Sequence, residues 1–151
     1  MYKEQLIKAL KGGEAFQPLK THLEQVPFEK IGIRPEGLPY SIYELFYHIV
    51  YTQKDILNFV FSDKYQNPKW PEDYWPKNLA PQSKNEWMSL QESYFSDRNQ
   101  LIEIVKDKAN DLNKIVKNGT HQTLLREILL VIEHTAYHTG QIVVLSRLLS
   151  Q

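Results

Sequence analysis

Apolar residues recur along the chain at helical spacing in four separate stretches. The first predicts a helix over residues 2–25, with Leu6, Ile7, Leu10, Phe16, Leu19 and Leu23 on one stripe. Gly12-Gly13 interrupts that stripe and is expected to kink or split the helix, since each glycine costs about 1 kcal/mol against alanine. Residues 27–39, rich in Pro and Gly, read as an irregular connection. The second helix has a marked start. Ser41-Ile42-Tyr43-Glu44 fits a capping box, and Tyr40 and Leu45 occupy the flanking staple positions. Leu45, His48, Thr52, Ile56 and Phe59 then keep a helical period.

The period fails over residues 62–82, where Pro68, Pro71, Pro76 and Pro81 exclude a regular helix or a central strand. Trp70, Tyr74 and Trp75 argue for an ordered loop, because such rings gain most when buried. Ser83-Lys84-Asn85-Glu86 is a second capping-box pattern, opening a third helix that carries Trp87, Leu90, Tyr94, Leu101, Ile102 and Val105. After a connection over residues 109–119, the last helix starts at Thr120 or Thr123 and continues to about Leu149. Its inner stripe is Leu124, Ile128, Val131, Thr135, His138, Ile142, Leu145 and Leu149. No strand-like alternation competes. The pattern predicts an all-α chain: a four-helix bundle over residues 1–151, one domain, with a long Pro- and aromatic-rich loop between helices 2 and 3.

Charge narrows the partners. Eighteen basic residues balance eighteen acidic ones, with no basic run, so no nucleic-acid partner is expected. No apolar run approaches the ~18 residues of a membrane span, and the first residues lack the apolar core of a signal peptide. A cytoplasmic protein with no membrane partner is the expectation. The chain has no cysteine, which removes disulfides, thiolate ligands and a protein-borne thiol nucleophile. Thiol chemistry here requires a thiol from outside the chain.

Histidines carry the candidate chemistry. His134 and His138 stand four residues apart, so they project from one helix face with Cβ atoms roughly 5–6 Å apart. Two imidazoles at that spacing can converge on one ion. His48 falls on the inner stripe of the second helix, and a third ring joins the pair if the two helices are neighbours. Such a group either holds a metal or forms a hydrogen-bonded metal-free core. Three neutral nitrogen donors leave positions on an ion open to water or substrate, as in catalytic rather than closed structural sites. Imidazole suits Zn, Ni, Fe or Cu. Glu44 either caps its helix or orients His48, and Gln141 either contacts bound water or substrate or is a core amide. Tyr47 and Tyr137 are candidate proton donors, and Trp70, Tyr74 and Trp75 form either a lid or a surface plug. His22 and His121 are assigned no role.

At these residues the sequence resembles the DinB-like superfamily, also called the DinB/YfiT family of metal-dependent four-helix-bundle proteins. The resemblance rests on Gly12-Gly13, Arg34-Pro35, Gly37-Leu38-Pro39-Tyr40-Ser41, His48, Pro68-Lys69-Trp70-Pro71, Tyr74-Trp75-Pro76, the segment Gln122 to Glu127, and His134-Thr135-Ala136-Tyr137-His138-Thr139-Gly140-Gln141. It implies an up-down-down-up-like bundle, homodimeric, with one divalent metal held by a histidine of the second helix and two of the last. Those positions are His48, His134 and His138 here. It also implies a small-molecule substrate and, as in some relatives, transfer of a low-molecular-weight thiol such as bacillithiol or mycothiol. Hydrolysis of a small molecule is the other enzymatic expectation. A non-catalytic, stress-related metal-binding or dimerisation module is the alternative.

Overall fold

Two glycines decide where the first helix stops. Gly12 and Gly13 have φ of 73° and 90°, the left-handed region that glycine enters without steric cost. The Gly12 N–H donates to the carbonyls of Lys8 and Ala9 at 3.0 and 3.2 Å, closing helix α1 at Tyr2–Lys11. In this computed structural model, which describes residues 2–150, the chain restarts after Pro18 as the short α2, Leu19–Gln25. Of the two expected outcomes at Gly12-Gly13, a kink or a split, the chain takes the split. Phe16 lies in the turn between them and is 45% exposed, not on the buried stripe.

Helix α3 spans Ile42–Phe61 and begins with the full capping box: Ser41 Oγ accepts from Glu44 N, and Glu44 Oε2 accepts from Ser41 N. Helix α4 spans Lys84–Lys106. Its box is half made. Ser83 Oγ accepts from Glu86 N, but the Glu86 carboxylate turns to Gln82 N and to the Tyr43 hydroxyl. Helix α5 spans Leu124–Leu149 and is capped by Thr123, whose side chain accepts from Arg126 N, so Thr120 lies outside it. An antiparallel bridge between Ile115 and Thr123 folds the connection back before α5 starts. No strand is present among the described residues.

Helix α3 packs on α4 and, most extensively, on α5, while α1 packs on the same two. Two apolar clusters fill the interior. One centres on Leu10, Ile56, Leu101, Val105 and Ile128, the other on Leu45, Phe46, Ile49, Trp87 and Ile142. Between them, on α3, α4 and α5 alike, lies a polar layer of Gln53, Arg98 and Thr135. Arg98 donates from Nε to Gln53 Oε1 at 2.7 Å, from Nη1 to the Leu10 carbonyl at 3.1 Å and from Nη2 to Thr135 Oγ1 at 2.8 Å. One guanidinium thus ties four helices together and also caps the carboxyl end of α1, where carbonyls lack intrahelical partners.

Contrary to the expectation from the sequence, α5 is long and apolar enough, by length and composition, to cross a membrane. In the bundle its inner face, including Ile128, Val131, Ile142 and Leu145, is buried.

Phe46 is fully buried, with its ring 5.2 Å from Trp87 and 5.6 Å from Tyr94. Truncation to alanine removes those contacts and opens a void. Phe46→Ala is expected to cost about 3–5 kcal/mol in urea unfolding, with a lower midpoint and an unchanged slope.

Candidate metal centre

The α3–α5 contact brings His48, His134 and His138 together. Ring centroids are 4.7 Å apart for His48 and His134, 4.8 Å for His48 and His138, and 4.5 Å for His134 and His138. One nitrogen from each ring lies within 4.8 Å of the others, and among the described residues no carboxylate joins the group. His48 and His138 are buried and His134 is half-buried.

Ring protons define what these nitrogens offer. His48 Nδ1 is 3.1 Å from the Tyr74 carbonyl. A carbonyl only accepts, so Nδ1 carries the proton and Nε2 the lone pair. His138 Nδ1 is 2.6 Å from Gln141 Oε1, which fixes the same tautomer. His134 Nε2 is 2.9 Å from His48 Nε2. Burial is the largest cause pushing His48 down to about 4, followed by the opposing Tyr74 hydrogen bond and the neighbouring His138. Burial, then His138 and His48, pushes His134 down to about 3. Burial also lowers His138, against the bond to Gln141. All three rings are therefore neutral near pH 7, the form in which imidazole binds metal. Neutral nitrogens, on rings of which two have their one N–H anchored outward, are a donor set that fits one divalent cation.

The loop over residues 62–82 makes one wall. Trp75 stacks on His48 at 4.2 Å and 4° and on Tyr40 at 5.0 Å and 12°. Tyr74 is held by its hydroxyl, which donates to Asp55 on α3 at 2.6 Å. Ser41 Oγ donates to the Leu79 carbonyl at 2.7 Å, and Gly32 passes so close to Ala80 that a Cβ would sit 2.3 Å from the Ala80 Cβ. The loop is thus pinned at Tyr74 against the second half of α3, and at Leu79 and Ala80 against Ser41 and Gly32 ahead of α3. Together with Arg34, Trp70 and Tyr137, the histidines line an open cleft of roughly 670 Å³. Trp70 and Tyr137 are 68% and 66% exposed, so they form its outer rim.

Several alternatives that the sequence leaves open are decided by the structure. Glu44 does not orient His48; it caps α3 and pairs with Arg34, whose Nε donates to Oε2 at 2.8 Å and whose Nη2 engages Oε1. Burial would raise this carboxyl, but the hydrogen bonds from Arg34 and Ser41 and the Arg34 charge outweigh it and hold Glu44 below its usual range. Gln141 is spent on His138. Tyr47 faces a groove against α4, away from the cleft. His22 and His121 stay outside the cluster. The sequence reading missed the Arg34–Glu44 pair and the Tyr74 carbonyl. Arg34 carried a legible charge without a visible partner, whereas a main-chain carbonyl leaves no mark in a sequence.

An all-helical bundle with three convergent histidines is the architecture of a candidate metal-binding protein. The DinB superfamily profile matches residues 14–142, and the chain belongs to that superfamily. No curated protein and no solved structure matches the chain.

Two outcomes follow for variants around the cluster. Gln141→Leu removes the acceptor that fixes His138 and is expected to weaken divalent-metal binding roughly 10–100-fold in a competition titration. Arg34→Ala removes the cation beside a buried carboxylate. The depressed Glu44 pKa contributes stability that is present above the unfolded carboxylate value and lost as pH falls through the folded one. Arg34→Ala is therefore expected to lower Tm at pH 7, with the gap to wild type closing as the pH is taken below about 4.

Proposed function

We propose that the chain is a metal-dependent enzyme that holds one divalent ion on His48, His134 and His138 and acts on a small molecule in the cleft above them. The observation that carries this reading is the convergence of three neutral imidazoles at the base of an open cleft with no fourth protein ligand among the described residues. Zn, Ni and Fe suit the donor set. When bound, such an ion lowers the pKa of a thiol or water beside it and so supplies a nucleophile at neutral pH.

The chain's own residues do the rest. Tyr74 and Gln141 keep the ring protons of His48 and His138 pointed outward. Trp75 shields one face of His48 from solvent. Trp70 and Tyr137 offer flat apolar walls to an electrophile. Since the chain has no cysteine, the thiol in an S-transfer reaction is an external low-molecular-weight one. Its sulfur forms a bond to the electrophilic carbon, the leaving group departs with its electron pair, and the thiol proton passes to solvent. Hydrolysis of a small molecule uses water in the same place.

A second reading, a non-catalytic metal-binding or dimerisation module, is favoured by the exposed apolar Leu129, Val144 and Leu148 on α5. A homodimer in the cytoplasm is compatible with both readings.

The test is turnover of model electrophiles by metal-loaded protein with and without added thiols. Thiol-dependent turnover that falls at least about 100-fold in His138→Ala is expected, given the size of metal-ion effects. Full metal loading with no turnover of any thiol or hydrolysable probe would support the non-catalytic module instead.

A further inference from the structure

The polar layer holds a cation without a counter-ion. Arg98 is 5% exposed, and among the described residues no carboxylate hydrogen-bonds or ion-pairs with it. Its neighbour in sequence, Asp97, pairs with Lys54 instead, at 3.2 Å. Its acceptors are an amide oxygen, a main-chain carbonyl and a hydroxyl, with the Tyr94 ring 5.0 Å away. A guanidinium has five N–H donors; these bonds use three, and the Tyr94 side chain is a further partner. Burying a full charge on neutral partners alone is costly.

Arg98 also lines a cavity of about 200 Å³ beneath the glycine turn that ends α1. Leu10, Phe16, Leu19, Ile132 and Ala136 make its walls apolar; the Thr135 hydroxyl accepts from the guanidinium, and that of Thr139 donates to the Thr135 carbonyl. Lys11 and Glu14, both exposed on its lining, oppose each other in charge. The volume compares with the roughly 150 Å³ that takes up a benzene ring in an apolar protein cavity. This cavity shares no lining residue with the histidine cleft: Thr135 and Thr139 face it from α5, whereas His134 and His138 face the cleft.

We infer that the Arg98 cavity is a second binding site, separate from the histidine cleft, for a small monocarboxylate with an apolar body. The carboxylate accepts from a guanidinium N–H that these bonds leave open, and the body fills the apolar walls. Charge-assisted bonds of this kind are the strong ones, and a bound anion neutralises the buried charge. The ordered turn at Gly12-Gly13, with φ values of 73° and 90°, roofs the site.

Benzoate is the probe, with benzyl alcohol as its neutral counterpart, titrated by calorimetry into metal-loaded wild type, Ala136→Leu and His138→Ala. Ala136→Leu fills the cavity and leaves every Arg98 partner in place; His138→Ala disables the other cleft, where a carboxylate could also bind. The expected result is one-to-one benzoate binding that persists in His138→Ala, weakens at least about tenfold in Ala136→Leu, and exceeds benzyl alcohol binding about tenfold, the size of one charge-assisted bond. Arg98→Met is expected to lose binding too, but Ala136→Leu decides the matter if that variant does not fold. No benzoate binding to wild type, or binding abolished in His138→Ala and intact in Ala136→Leu, would overturn the inference.

Discussion

The site depends on where the imidazole protons go. A neutral histidine has one proton and one lone pair, and only the lone pair can hold a cation. In this chain the Tyr74 carbonyl accepts a hydrogen bond from His48 Nδ1–H and the Gln141 Oε1 accepts one from His138 Nδ1–H. Both Nε2 atoms are left with their lone pairs, that of His48 lying 2.9 Å from His134 Nε2. Burial then keeps the rings uncharged by making protonation costly. Without these outer acceptors the same three residues would be a polar defect in the core.

That constraint explains why the long loop is ordered. Its length would leave it mobile if nothing held it, yet Tyr74 is fixed twice, by its hydroxyl to Asp55 and by its carbonyl to His48. Trp75 adds a stacked face against the same imidazole. The close pass of Gly32 against Ala80 and the Ser41–Leu79 bond dock the end of the loop where α3 begins. On the adjacent face of α5, Arg98 performs a comparable task for the helices, joining α1, α3 and α5 to its own helix. Two polar constellations on adjacent faces of one helix therefore set the geometry of the bundle between its two apolar clusters.

Much of this was legible in the sequence. Periodicity located α3, α4 and α5, and the Ser41 box marked the start of α3 because its donors and acceptors are all local. His48, His134 and His138 could be grouped because helical spacing fixes which face each one takes. The splitting of the first helix was only half legible: Gly12-Gly13 signalled a break, but the length of the turn and the exposure of Phe16 depended on tertiary packing. The second box misled because Glu86 found a better partner in the Tyr43 hydroxyl of another helix. Arg98 passed unnoticed for a related reason. Its partners lie on three other elements, and no local spacing encodes them.

The central claim is that one divalent ion sits on three histidines contributed by two helices. Elemental analysis of untagged protein, dialysed after loading, measures it directly for wild type and for His48→Ala, His134→Ala and His138→Ala. One ion per chain in wild type and a loss in each variant with helicity intact is the expected result. Folded wild type that retains no ion, or a His48→Ala variant that retains a full equivalent, would contradict it.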